Sequence, residues 1–210
     1  YAELPAPVRR VVALRTAALG SLMRLAAASF SASAAVLDVG CGHGQLVRWL
    51  ALEPGRSVAG IDSSEARIRV AQGVGTPPNL RFERASALDY LHAKPGPCDG
   101  FVFADTLLYM TADAQRSALT AARESARVGA VMLIKDSITE PRWKLRATQL
   151  EERLKLRAGY YGNSPGECLT YRSRAGWVDL LGETGWQVID ECRTPRVLPY
   201  PGWVAVCHAV

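Results

Sequence analysis

The chain has 210 residues, enough for one α/β domain to close a full hydrophobic core. Hydrophobic residues make up 49% and charged residues 21%, an ordinary balance for a globular protein and far from that of a disordered chain. The net charge of +5 comes from scattered arginines such as Arg9, Arg24, Arg48 and Arg69, without a dense basic run interleaved with aromatics, so nucleic acid is not the expected partner. Cys41, Cys98, Cys168, Cys192 and Cys207 form no CxxC pair, which fits reduced thiols in the cytoplasm better than a disulfide framework. Residues Arg9 to Ala35 have the outline of a signal peptide, but Arg24 interrupts the apolar run. No apolar run is long enough for a membrane span. Tyr1 stands where an initiator Met would, which leaves room for a native segment before it.

In chain order, Pro7 to Ala28 is expected as an amphipathic helix, with Val11, Leu14, Ala18, Leu22 and Leu25 at helical spacing. Ala35-Val-Leu-Asp-Val39 follows as a buried strand running into Gly40-Cys-Gly-His-Gly44, then a helix through Leu46, Val47 and Leu50. Ser57 to Ile61 is a second strand ending at Asp62, after which Ser63 or Ser64 caps a helix through Ile68, Val70 and Ala71. Arg81–Arg84 and Gly100–Phe103 are the third and fourth strands. A helix from Ala112 to Arg127 then ends at Gly129, and Ala130–Ile134 is the fifth strand. Unbroken apolar strands alternating with helices predict a parallel sheet covered on both faces. Beyond it, a charged helix from Pro141 to Arg157, a Gly- and Tyr-rich loop to Tyr171 and a helix from Ser173 to Leu181 lead to two final strands. These, Trp186–Ile189 and Trp203–Val206, are expected to pair antiparallel at the sheet edge. The whole, residues 1–210, is expected as one domain with residues 1–30 as a helical cap and 141–172 as an insert or lid.

The glycine turn carries most of the functional information. Glycines between a strand and a helix allow a sharp turn and close approach of a ligand. The spacing is GxGxG, with Gln45 where a dinucleotide-binding loop would place its last small residue. Asp62 lies twenty positions beyond Gly42, where a carboxylate can accept both hydroxyls of an adenosine ribose. Asp38 sits inside an apolar strand, where burial is costly unless the carboxylate is paired. A purely structural role for it, tying down the loop through backbone amides, is the alternative.

On these residues the chain resembles the class I S-adenosylmethionine-dependent methyltransferases, from Val36 to the last strand pair. The resemblance implies a seven-stranded, mostly parallel, doubly wound α/β sheet with an antiparallel final strand and helices on both faces. It also implies S-adenosylmethionine as cofactor. Asp38, Gly40, Cys41, Gly42 and Gly44 match the first motif, beside the methionine part of the cofactor; Asp62 matches the ribose acid, and Ser63 belongs to the adenine pocket. Arg84-Ala-Ser-Ala-Leu88 matches the third motif, with Ser86 where the family often has Asp, next to Ala87. Asp99 to Tyr109 resembles the fourth strand and its turn, placing Ala104 and Asp105 under the sulfonium. The GCGHG loop combined with ADTLLYM is also similar to bacterial enzymes of pigment and lipid-like metabolite synthesis.

Methyl transfer is an in-line displacement for which the protein orients the acceptor, excludes water and sometimes removes a proton. Asp105, Tyr109 and Asp136 are the candidate catalytic residues, with Lys135 beside them at the C-terminal sheet edge. Lys135 has the alternative of reaching solvent and Tyr109 that of a pocket wall. Asp105, Asp136 and Ser137 occupy the positions of a catechol-type metal site, with Ser in place of Asn; two carboxylates and a hydroxyl are thin for magnesium, and no metal is expected. His43 contributes backbone, His92 lies in an expected surface loop and His208 on an expected edge strand, so none is favoured as base. Trp143, Tyr160, Tyr161 and Tyr171 make the insert an expected aromatic-lined cover, with Arg172 beside it. The expected acceptor is therefore a small, aromatic or hydrophobic metabolite, preferably methylated on oxygen. A nucleic-acid methyltransferase is the nearest rival, although Ala104-Asp-Thr-Leu107 replaces the Pro-Pro-aromatic run of amino-methylating enzymes. A regulatory protein that binds the cofactor without turnover, and a nicotinamide oxidoreductase, are the others.

Overall fold

A computed structural model of the chain describes residues 19–73, 75–93, 96–157, 169–193 and 201–210. Its elements in order are α1 (Gly20–Ser29), β1 (Ala35–Val39), α2 (Gln45–Leu50), β2 (Ser57–Asp62), α3 (Glu65–Gly73), β3 (Leu80–Arg84), α4 (Ala87–His92) and β4 (Cys98–Ala104). A 3-10 turn (Leu107–Tyr109), α5 (Ala112–Glu124), β5 (Ala126–Ser137), α6 (Arg142–Arg157), α7 (Arg174–Glu183), β6 (Trp186–Arg193) and β7 (Gly202–Ala209) complete them. Side-chain oxygens cap two helices where the sequence offers a hydroxyl: Thr111 Oγ1 accepts from the Ala114 amide and Ser173 Oγ from the Gly176 amide.

The strands form one sheet in the order β3-β2-β1-β4-β5-β7-β6, parallel except for β7, which runs antiparallel to both β5 and β6. This is the expected mostly parallel, doubly wound sheet, and its last two strands pair antiparallel at the sheet edge as expected, with β6 outermost and β7 between β5 and β6. His208, expected at the edge, is on this interior strand with its side chain exposed.

Alternation along the strands divides the core in two. Leu37, Val39, Phe101, Phe103, Met132 and Ile134 pack beneath α5 and α7 with Leu119, Ala122, Trp177 and Leu181. Val36, Val58, Val102, Val131 and Leu133 face α1, α2 and α3, meeting Leu22, Phe30, Val47 and Ile68. Each large side chain so enclosed is worth about 1.5–3 kcal/mol over its exposed state, which explains why the strands are apolar on both faces.

Three sequence expectations are revised. The helix expected to reach Arg127 ends at Glu124, where Ser125 caps it by bonding back to the Ala121 and Ala122 carbonyls. Gly129 does not end that helix: it lies inside β5 with φ +77, at a register shift in which Cys98 pairs with Ala126 but Gly100 with Val131. His92, expected in a surface loop, is instead the last residue of the short helix α4, and its ring lies 3.0 Å from Ser117 Oγ. Most of the expected first helix, together with Tyr160, Tyr161 and Cys168, lies outside the described residues.

Candidate active site

β1 ends at Val39 and the chain turns at Gly40, Gly42 and Gly44, all with positive φ (82°, 56° and 80°). The turn is held from the neighbouring strand: the Gly40 and Cys41 amides both donate to the Ile61 carbonyl at 2.8 Å, and the Gly44 amide donates to the Cys41 carbonyl at 3.0 Å. The glycines do different work. A Cβ on Gly40 would clash with the Thr106 side chain, so the turn after β4 abuts the glycine turn directly. A Cβ on Gly42 would meet nothing within 4 Å, leaving that stretch of backbone open to a ligand.

Asp62 closes β2 as expected, and it is buried. Its Oδ2 accepts from the Gly42 amide at 3.0 Å and its Oδ1 from the Ser64 amide at 2.8 Å, with Arg67 Nη1 3.6 Å away. A carboxylate has about four lone-pair sites, so these bonds leave capacity for ribose hydroxyls. Ser64, not Ser63, supplies the helix cap by accepting from the Arg67 amide; Ser63 is exposed. The Ala85 amide donates to the Asp62 carbonyl, bringing exposed Ser86 and the start of α4 at Ala87 to the same edge.

Asp38 is enclosed on all sides. Burial, reinforced by the charge of Asp62, pushes its carboxyl up to about 8, and Oδ1 has no hydrogen-bond partner among the described residues. Such an atom is costly unless a donor comes from elsewhere. The same surroundings raise the Cys41 thiol well above its ordinary value, which makes it a packing residue rather than a nucleophile.

Across the glycine turn, β4 ends at Ala104 and Asp105 follows at φ +54, the one described non-glycine residue in the left-handed region. Its amide donates to the Lys135 carbonyl at 2.7 Å, and its Oδ2 lies 2.5 Å from Lys135 Nζ. Lys135 is therefore buried in an ion pair and does not reach for solvent. Oδ1 of Asp105 makes no hydrogen bond among the described residues, and the side chain is 34% exposed.

Alternation along β5 sends Asp136 to the opposite face from Lys135. It is buried, with Oδ2 accepting from the Leu108 amide at 3.0 Å and Oδ1 from the Ser137 amide at 2.7 Å. Burial, then the nearby Asp105, raises it to about 8. Asp136 thus anchors the 3-10 turn from below. With Lys135 on Asp105 and amides on Asp136, the trio with Ser137 is not an open oxygen set; no group of three or more His, Cys, Asp or Glu among the described residues is arranged to hold a metal.

Tyr109, half-buried at the end of the 3-10 turn, donates to Glu152 Oε2 at 2.7 Å and so ties α6 to the site. The far end of the insert is tied to the same turn: the Thr170 amide donates to the Leu108 carbonyl, and Gln115 Nε2 bonds both the Leu107 and Thr170 carbonyls. Arg172 Nε donates to Gln115 Oε1 at 2.6 Å, and its guanidinium lies over Trp177. Gln115, Glu152 and Thr106 are not marked out as site residues by the sequence. Only Gln115 left a signal, as a polar residue on the buried stripe of α5 with Ala118, Leu119 and Ala122. Trp143, expected to line the cover, points outward and is 65% exposed.

The sheet order, the crossover at the glycine turn and the antiparallel β7 define the class I methyltransferase fold, and residues 36–129 match the family model described as a methyltransferase domain. Magnesium protoporphyrin IX methyltransferase from Synechocystis PCC 6803, with bound SAH, superposes with TM-score 0.72 at 18% identity, covering 99% of this chain and 89% of the other. The 1,6-didemethyltoxoflavin-N1-methyltransferase of Burkholderia thailandensis gives 0.68 at 18%, covering 99% and 92%. A protein of echinomycin biosynthesis, which converts a disulfide bond into a thioacetal group, is 26% identical with TM-score 0.64, covering 90% and 81%. No curated protein matches the sequence significantly. Residues 36–129 are thus matched as a methyltransferase domain, and the whole sheet has the fold of the class I, S-adenosylmethionine-dependent methyltransferases. The residues present fit that cofactor: an orphaned buried carboxylate oxygen suits its α-ammonium, and the open backbone at Gly42 suits close approach of its methionine part.

Proposed function

We propose that this protein methylates a small, aromatic or hydrophobic metabolite, preferentially on oxygen, at the edge formed by the glycine turn and Asp105. The observation that carries the reading is the contact of Gly40 with Thr106, which sets the cofactor-side turn and the Asp105–Lys135 pair against each other. Bound S-adenosylmethionine would supply an electrophilic methyl group on its sulfonium. Asp38, Gly40, Cys41, Gly42 and Gly44 would hold its methionine part, Asp62 its ribose, and Ser63, Ser86 and Ala87 its adenine, with Ala104 and Asp105 beneath the sulfonium.

On the acceptor side, Lys135 holds one oxygen of Asp105, leaving the other to accept a hydrogen bond or proton from an acceptor hydroxyl. Asp136 fixes the turn that carries Tyr109, so its role is positioning, and Tyr109 forms a wall of the site. The described parts of the insert support its reading as a cover, since Glu152 of α6 and Thr170 are both fastened to the 3-10 turn or its helix, while α1 packs Leu22 and Ala26 on the opposite face of the sheet. Neighbours whose acceptors are small molecules, including mitomycin 7-O-methyltransferase, support a metabolite over a nucleic acid. No helix among the described residues is long and apolar enough to cross a membrane.

Calorimetric titration of S-adenosylhomocysteine into wild type and Asp62→Ala tests the cofactor half: micromolar binding lost in the variant is expected, and no binding to wild type removes the basis of the proposal. Turnover on a phenolic panel tests the acceptor half. Lys135→Met should lower kcat while leaving S-adenosylhomocysteine affinity intact; unchanged kcat would remove Asp105 and Lys135 from the chemistry.

A further inference from the structure

Helix α6 is inside out. Its buried stripe is polar, made of Lys144, Thr148 and Glu152 at successive i, i+4 positions. Its outward face is apolar: Trp143, Leu150 and Leu154 are 65%, 62% and 56% exposed, with exposed Ala147 between them, on one line of the helix. A helix on a globular surface normally shows the reverse pattern. The inner stripe has a reason, because Glu152 receives the Tyr109 hydroxyl and Thr148 Oγ1 donates to the Lys144 carbonyl. Among the described residues the outer stripe stays exposed, with Lys144 Nζ 5.5 Å from the Trp143 ring centroid.

The charge around that stripe is a second and independent observation. Arg142, Arg146 and Arg153 are exposed and make no ion pair among the described residues. Across its length α6 has six basic and two acidic side chains, a net +4 in a chain whose total is +5. Basic charge beside an exposed Trp and Leu line is the composition of a helix that lies in a lipid interface. A second copy of the chain is disfavoured by the same charge, since pairing two such faces sets arginines against arginines.

We infer that the outer face of α6 docks the protein on an anionic lipid surface. Trp143, Leu150 and Leu154 enter the boundary between headgroups and acyl chains, and Arg142, Arg146 and Arg153 engage anionic headgroups. Because Glu152 joins the inner face of this helix to Tyr109, docking sets the acceptor side of the site close to the bilayer. This last step rests on the proposed function; docking itself does not.

Vesicle co-sedimentation of the full chain tests the inference, with phosphatidylcholine alone against phosphatidylcholine mixed with phosphatidylglycerol at low and high salt. Binding to the mixed vesicles, weakened by salt, is expected, with a blue shift of tryptophan emission that disappears in Trp143→Ala. Leu150→Ser/Leu154→Ser should lower partitioning about tenfold or more, and Arg146→Glu/Arg153→Glu should do so for the anionic vesicles. All these side chains are exposed, so thermal melts and S-adenosylhomocysteine affinity should match wild type and separate lost docking from lost folding. Absence of vesicle binding, equal binding to neutral vesicles, or binding indifferent to both double variants would overturn the inference. So would a dimer in sedimentation velocity that Leu150→Ser/Leu154→Ser dissolves, which would assign the face to a second copy.

Discussion

Replacing Asp38 with Asn keeps the shape of the side chain and removes its ability to ionise, which isolates one consequence of its burial. In the cofactor-free protein the carboxyl is raised to about 8, first by desolvation and then by Asp62. If the cofactor's α-ammonium selects the ionised form, binding must expel the proton that Asp38 holds at neutral pH. The ionised fraction is roughly 0.01 at pH 6 and 0.5 at pH 8, so affinity should rise about fiftyfold across that window, or about 2 kcal/mol. Titration of S-adenosylhomocysteine at pH 6, 7 and 8, in buffers of contrasting ionisation enthalpy, reads both the affinity and the protons released. Release should approach one proton per site near pH 6. In Asp38→Asn the affinity should be flat with pH, weaker than wild type already at pH 6 and far weaker at pH 8. Flat wild-type affinity with no proton release would mean that the orphaned oxygen is not the cofactor's partner.

Without cofactor, Asp38 and Asp136 share a stability signature: both carboxyls are raised to about 8, so the folded state holds protons that the unfolded chain has released. Their contribution is full below the ordinary carboxylate range and is lost as pH rises through about 8, so the urea midpoint should fall between pH 6 and 9. Asp136→Asn should flatten that fall; an unchanged slope would exclude Asp136 as its source. Gly40→Ala should cost about 2–4 kcal/mol, from a left-handed φ and the clash with Thr106. Thr106→Gly in the same chain should recover the clash but not the φ cost, and no recovery in urea denaturation would show that the two turns do not touch. Tyr109→Phe leaves buried Glu152 without that hydroxyl and should cost about 1–3 kcal/mol; a double-mutant cycle with Glu152→Gln should show a coupling above about 0.5 kcal/mol, and additivity would deny the tie.

Local chemistry made much of the molecule legible before its structure. Val36–Val39, Val58–Ile61 and Phe101–Phe103 are apolar on both faces, which only a covered parallel strand tolerates, and three glycines at alternate positions after the first strand require a turn with positive φ. Asp62 was readable because its role depends only on where β2 ends. The six residues of α4 were missed because so short a helix shows no period, and Gly129 misled because a glycine with positive φ ends a helix as readily as it bends a strand.

What the sequence determined by itself is therefore what adjacent residues decide: the strands, the glycine turn, the acid that follows β2, and through them the class. The tertiary structure alone decided the rest. Asp105 and Lys135 are 30 positions apart, and Tyr109 and Glu152 are 43 apart, so each pair exists only after the sheet brings distant chain ends together. The wedging of β7 between β5 and β6 is a choice among pairings that are equivalent in their local pattern. The facing of α6 is the clearest case. Its sequence gives it one apolar and one polar line, and only the fold, in which Glu152 accepts from Tyr109, decided that the polar line faces inward and that Trp143, Leu150 and Leu154 stay outside.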